Sequence, residues 1–328
     1  MADNDTNVFQ NSEISWPRSL RFWVLLIFDI PSIICSFFVL YYLIFDRTLR
    51  HALHNHTIVV LLILALIFQL TDIPWYLDFI RRSIVWPQTP ARCLIWWLVD
   101  LGFYNTAAII LAWASVERHI LIFHGHWIST QKKRLLLHYL PLAILLLYST
   151  IYYTVLIFFP PCQHTYDYTL PVCSATPCHL LDPILGIWEM GIHGCLCTMI
   201  IACFSIALLI RVIVHKRRGR RMFQWKKYRK MISQLLLISS LYLIINLPGA
   251  IMWVGRFCGL VPTAAYVEAQ LVGFFITYWA ILLLPVVSLV SLPDLKKKVF
   301  QLVYWRGRYP ATVAPMTRCP TTVPGIRQ

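Results

Sequence analysis

The chain has 328 residues, of which 59% are hydrophobic and only 13% charged, against about 25% charged in an ordinary soluble domain. That balance makes lipid the solvent for much of the chain. The net charge of +15 is not accompanied by any nucleic-acid-binding pattern, so it is expected to face anionic lipid rather than nucleic acid.

In chain order, residues 1–19 read as a short exterior tail. It carries Asp3, Asp5 and Glu13 and lacks the basic start, apolar stretch and cleavage site of a removable signal. Asn4-Asp5-Thr6 is a glycosylation acceptor; Asn55-His56-Thr57 has the same pattern but falls on the predicted inner side. A membrane-spanning helix needs about 20 mostly apolar residues, and seven stretches supply them: 20–45, 57–80, 93–123, 135–159, 184–214, 231–254 and 267–292. Each is expected to be a helix, because lipid cannot satisfy a free backbone N–H or C=O. No repeat or Gly/Ser-rich linker divides residues 20–305, which read as one membrane domain.

The alternate loops after spans one, three, five and seven hold 23 of the 29 Lys and Arg residues, counting Arg118 and Arg211 with the inner ends. The positive-inside rule therefore puts the N-terminus outside. The longest inner connection is "HKRRGRRMFQWKKYRK", residues 215–230. After the last span, "DLKKKVFQLVYW" places Leu295, Val299, Leu302 and Val303 at helical spacing with lysines opposite, which predicts an eighth, amphipathic helix on the inner face. Residues 306–328 are rich in Pro, Thr and Arg and are expected to be a disordered cytoplasmic tail. The predicted fold class is thus an all-α membrane protein, a seven-transmembrane helix bundle.

Nine of the ten cysteines sort by place, the tenth, Cys319, lying in the tail. Cys35, Cys195, Cys197 and Cys203 lie within spans, as small apolar residues. Cys93, Cys162, Cys173, Cys178 and Cys258 lie on the outer side, where disulfides persist.

Polar residues inside the spans carry the functional signal, because each is costly unless paired or hydrated. Asp100 and Arg118 are 18 residues apart, about five turns of helix, so they share a face with one charge near each end of the third span. Tyr104, Ala107, Leu111 and Ala114 follow the same line. The small alanines admit close neighbours, which predicts that the third helix is the central post of the bundle. Asp72, Asp78, Glu189, His193 and Glu268 add an acidic outer vestibule, and Arg81, Arg82, Arg92 and Arg256 ring its rim. A basic small molecule or a short basic peptide fits that pattern.

These residues carry a resemblance. Cys93 and the triplet Glu117-Arg118-His119, with 25 residues from Cys to Arg, are similar to the signature of rhodopsin-like G protein-coupled receptors. "YLIINLP" resembles the family's sixth-span motif through Tyr242 and Pro248, with Asn246 where Trp usually stands. "LLPVVSL" resembles its seventh-span motif only through Pro285, since Leu284 and Ser288 replace the Asn and Tyr. Phe68 replaces the second-span acid, so the family's internal sodium site is not expected. No lysine occurs from 267 to 292, which excludes a retinal Schiff base.

The resemblance implies roles. Cys93 would bond the second outer loop, with Cys178 favoured over Cys173 because it lies nearer the fifth span, and with Cys162 and Cys173 closing the hairpin. Asp100 matches an amine-binding Asp, and Tyr278 a tyrosine that hydrogen-bonds it; Tyr104 and Glu189 join them as expected ligand contacts. Arg118, restrained by Glu117, would be a docking point for a heterotrimeric G protein, with His119, Lys227 and Lys230 beside it. Pro248 and Pro285 would be hinges, and no acid on the foot of the sixth span is available to bridge to Arg118. An extracellular amine or peptide ligand, surrounding membrane lipids and a plasma-membrane location follow, with no cofactor or metal. No Gly-rich phosphate loop, His-Glu-x-x-His or Gly-x-Ser-x-Gly occurs, so no enzymatic activity is expected. The rival is a transporter or channel, since Asp29, Asp72 and Asp100 could relay ions, although no inverted repeat is detectable.

Overall fold

The computed structural model describes residues 16–123, 130–173, 177–217, 222–292 and 295. Among them are seven helices long and apolar enough to cross a membrane, and no strand. They are α1 (Arg18–Phe45), α2 (Leu53–Arg82), α3 (Pro90–Phe123), α4 (Gln131–Phe158), α5 (Pro183–Val214), α6 (Met222–Phe257) and α7 (Thr263–Ser291). The helices outrun several apolar runs because caps, not hydropathy, end them. Asp182 accepts from the N–H groups of Ile184 and Leu185 at 2.9 and 3.0 Å, with Pro183 at the first helical position. Ser83, in the left-handed region at φ 62°, ends α2.

The third helix is the central post that its alanines predict: α3 packs on α2, α4, α5 and α6, and Ala108, Ala112 and Ala114 are buried along it. On the other side α1 packs between α2 and α7. That junction is polar for a reason the sequence contains. Pro285 has no N–H, so the Ile281 carbonyl one turn earlier has no helical partner. Gln69 donates Nε2 to it at 3.2 Å and to Ser32 Oγ at 2.7 Å, while Ser32 donates to the Leu282 carbonyl at 2.7 Å and Ser36 to Gln69 Oε1 at 2.9 Å. A proline's vacancy in one helix is thus filled from two others, as lipid requires.

Three π-helical segments interrupt the described helices: Leu98–Phe103 in α3, Leu135–Tyr139 in α4 and Trp188–Leu196 in α5. Each carries an intramembrane polar residue, respectively Asp100, His138, and Glu189 with His193. Such wide turns are frequent at functional sites because they re-aim side chains that a regular helix would point elsewhere.

The loop between α4 and α5 folds over the Cys93 end of the bundle. It pairs Val85 N–H with the Tyr168 carbonyl at 2.8 Å and stacks Tyr166 on Trp97 at 5.5 Å. Here one expectation is corrected: Cys93 bonds Cys173, not Cys178, and Cys162 bonds Cys178. The bridges are interleaved in sequence. Cys162 and Cys178 close the base of the loop, while Val172 and Cys173, both at positive φ and buried, turn its interior down onto α3. The Cys178 N–H donates to His164 Nδ1 at 3.3 Å, and the His164 ring packs on Trp97 at 4.7 Å.

Asn4, the predicted inner helix apart from Leu295, and the tail from Arg306 lie outside the described residues.

Candidate functional site

Two carboxylates from neighbouring helices meet in the half of the bundle nearer Cys93. Asp72 of α2 is fully buried and accepts the indole N–H of Trp96. Asp100, on the α3 π segment, is half-buried, lies within electrostatic reach of Asp72, Tyr104 and Tyr278, and makes no hydrogen bond or ion pair among the described residues. The Tyr278 hydroxyl lies against Asp72. Neither it nor Asp72 Oδ2 has a partner of regular geometry, though both are buried.

Aromatic rings wall this place. Phe68 stands between Tyr278 and Tyr104, at 5.8 and 6.5 Å. Tyr76 stacks on Tyr278 at 5.2 Å. Above them Trp96 meets Trp75 edge-on at 5.8 Å, and the Arg92 guanidinium covers Trp75 at 4.4 Å. Two carboxyl groups inside an aromatic box make a setting suited to a cation.

The expected ligand contacts divide. Asp100, Tyr104 and Tyr278 come together, but the tyrosine hydroxyl turns to Asp72 rather than to Asp100. The Tyr104 hydroxyl donates to Asn246 Oδ1 at 2.7 Å, and Asn246 in turn donates to the Tyr242 carbonyl. Glu189 stands apart, in a separate polar cluster between α3, α4 and α5. It accepts from Asn105 Nδ2 and from the Tyr153 hydroxyl, each at 2.6 Å, and from His193 Nδ1 at 3.1 Å. Trp188 donates to the Tyr148 oxygen, whose hydrogen goes to His193 Nε2, and this fixes the Nδ1–H tautomer that faces Glu189. Glu189 is thus engaged by three side-chain donors within this cluster.

Below Tyr104 a small cavity of about 40 Å³ lies between α2, α3, α6 and α7, lined by Leu61, Ala107, Ile238, Tyr242 and Leu284 among others. Its lining carries no acid, in line with the absence of Asp at Phe68 and of Asn at Leu284.

At the opposite end, Arg118 is 2% exposed and donates to the His54 carbonyl in the first turn of α2 at 3.1 Å. Glu117 accepts from His138 of α4 and, at 3.5 Å, from Thr57 of α2. His138 continues to His56 at 3.1 Å, and His56 to the Arg50 carbonyl at 2.9 Å. These contacts form one chain from the Arg50 carbonyl through His56 and His138 to Glu117, beside Arg118. His119 packs against Phe204 of α5 at 5.7 Å. Lys227 and Lys230 are on α6, but their side chains lie outside the described residues.

Sequence reasoning missed Asp72 as a partner of Asp100, Asn246 as a link to α6, and the His138–Glu117 bond. The available signal was polarity within apolar runs: His138 interrupts "LLLHYL" as abruptly as Asp100 interrupts its own span. No family model matches the chain, and no curated protein matches it.

Proposed function

We propose that the chain is a receptor of the rhodopsin-like G protein-coupled class that binds a cationic small molecule or short basic peptide between Asp72 and Asp100. The observation that carries this reading is the pair of carboxyl groups in an aromatic box, Asp100 without a hydrogen bond or ion pair among the described residues and Asp72 Oδ2 met only by the Tyr278 hydroxyl at irregular geometry. A ligand ammonium or guanidinium supplies the missing donors there. One turn along α3, the Tyr104–Asn246 hydrogen bond ties the box to α6 two residues before Pro248. A ligand that shifts Tyr104 loosens α6 at the point where proline has already removed a backbone hydrogen bond. The far half of α6, with its basic foot, then moves away from Arg118 and opens a docking surface for a heterotrimeric G protein at the inner face of the plasma membrane.

Expression with a panel of G protein dissociation sensors, scanned with pooled amines and basic peptides, tests the proposal. A response is expected, abolished by Arg118→Ala. For the ligand so found, Asp100→Asn is expected to weaken binding by at least about a hundredfold, since removing one partner of a buried ion pair costs about 3–5 kcal/mol. Normal affinity in a well-expressed Asp100→Asn protein would falsify the cation assignment.

A second reading, ion-coupled transport, is favoured by one further group: Asp29 of α1 is buried with Oδ1 unpartnered. Reconstituted protein that moves cations or protons across liposomes, with loss in Asp29→Asn and Asp100→Asn and no effect of Arg118→Ala, would replace the receptor reading.

A further inference from the structure

A second cleft, of about 400 Å³, lies at the Arg118 end, on the side of α2 and α4 away from α6. Its wall is made by Arg50 and His51 of the α1–α2 connection, His56 at the start of α2, and Gln131, Arg134 and Tyr139 at the start of α4, with Leu53 and Leu135 completing it. Two guanidinium groups and two imidazoles line it, and among the described residues no carboxylate does. Arg50 is exposed, and its guanidinium makes no ion pair or side-chain hydrogen bond among the described residues. A planar guanidinium fork matches phosphate oxygens in pairs.

The chemistry beside the cleft says where the phosphate comes from. From the rim of the cleft, α4 carries an apolar stripe along its length: Leu136, Leu140, Ile144, Leu147 and Ile151 are 61%, 44%, 54%, 62% and 54% exposed. Spacing of three or four residues keeps them on one side of the helix. No protein element covers that stripe among the described residues, and in a membrane it faces acyl chains. A basic cleft opening onto a lipid-facing stripe fits a molecule with an anionic head and two hydrocarbon tails. The volume exceeds what a lone phosphate occupies and suits a ring-bearing, multiply phosphorylated headgroup.

We propose that this cleft binds a phosphoinositide, its headgroup held by Arg50 and Arg134 and its acyl chains lying along α4. The proposal requires only that the Arg118 end sits at a membrane–water boundary and does not rest on the receptor reading. It has a consequence for that reading all the same, because His56 is a wall of the cleft and the first member of the chain through His138 to Glu117. An occupant that draws on His56 acts on the group beside Arg118.

The test is native mass spectrometry of the full chain in detergent, titrated with phosphatidylinositol bisphosphate, phosphatidylserine or phosphatidylcholine. Phosphatidylinositol bisphosphate is expected to be retained most strongly, and Arg50→Gln/Arg134→Gln to lower its retention about thirtyfold, from roughly 1 kcal/mol per basic residue near a lipid surface. Lys132→Gln/Lys133→Gln removes the same charge from exposed neighbours outside the cleft and is expected to change retention by less than about threefold. Equal losses in the two double variants would reduce the site to diffuse surface charge and overturn the proposal, as would unchanged retention in Arg50→Gln/Arg134→Gln. Soluble inositol trisphosphate binding as tightly as the lipid would overturn the role of the α4 stripe. If the double variant does not fold, Arg50→Gln alone carries the test, with a loss of about fivefold expected and none counting against the site.

Discussion

The bundle holds two intramembrane acidic clusters that a residue count cannot tell apart, one around Glu189 and one around Asp72 and Asp100. Both have an acid on a π segment, both are ringed by tyrosines, and both join three helices. They differ in completeness. Glu189 receives hydrogen bonds from Asn105, Tyr153 and His193, and the irregular Tyr152 hydroxyl beside it is a further donor. Asp72 receives one regular hydrogen bond and an irregular one from the Tyr278 hydroxyl, and Asp100 receives none among the described residues. A buried polar group without a partner costs about 1–3 kcal/mol, and that cost falls on the second cluster through Asp100. On the proposed reading, the Glu189 cluster is a strut between α3, α4 and α5, and the Asp72–Asp100 cluster is a socket.

The largest expected effect follows from setting parallel substitutions side by side. Glu189→Gln turns an acceptor of three hydrogen bonds into a mixed donor and acceptor, leaving at least one buried donor opposed. Unfolding of the purified, ligand-free protein should show a loss of about 3 kcal/mol or more. Asp100→Asn should leave ligand-free stability within about 0.5 kcal/mol of the parent or raise it, because it removes a charge that had no partner. Equal destabilisation by the two would erase the distinction between strut and socket.

How far the sequence reached depends on the distance over which each feature is decided. The seven helices and the central place of α3 were legible because hydropathy and small-residue spacing are properties of one segment read alone. Asp100 and Tyr278 were placed together by the resemblance, and Asp100 and Tyr104 by lying one turn apart on the same helix face. What could not be read was the choice among partners at similar depth. Glu189 and Asp72 are both acids in the halves of their spans nearer Cys93, and only the rotation of their helices decides which one faces Asp100. The disulfides make the same point. Cys173 and Cys178 are five residues apart, and the choice between them was settled by a backbone reversal at Val172 and Cys173, residue types that do not announce positive φ.

A smaller effect separates binding from transmission. Tyr104→Phe removes the hydroxyl that holds Asn246 and leaves the ring against Phe68. A single hydrogen bond is worth about 1 kcal/mol, so ligand affinity should change less than threefold while basal G protein activation rises up to about fivefold. An affinity loss as large as that of Asp100→Asn would place the Tyr104 hydroxyl in the socket instead of on the link to α6.

The smallest expected effect asks whether lack of a partner is enough to mark a socket. His179, in the loop over the Cys93 end, is fully buried with neither ring nitrogen hydrogen-bonded. Burial holds its pKa below the ordinary 6.5, His164 pushes the same way, and Glu189 partly opposes them. Unlike a carboxylate, a neutral imidazole can stay uncharged at neutral pH, so this vacancy requires no ligand. The sign follows from linkage: as pH falls through about 6.5 the unfolded chain binds a proton that the folded chain refuses, so His179 costs stability on the acid side and nothing above it. The slope cannot exceed about 1.4 kcal/mol per pH unit for one proton. His179→Leu keeps the volume and removes the proton site. The difference between its unfolding free energy and the parent's should grow in its favour as pH falls from ~7.5 towards ~5. Parallel curves across that range would show that His179 takes its proton without leaving the fold, which would make the loop over the Cys93 end more polar inside than its buried histidine implies.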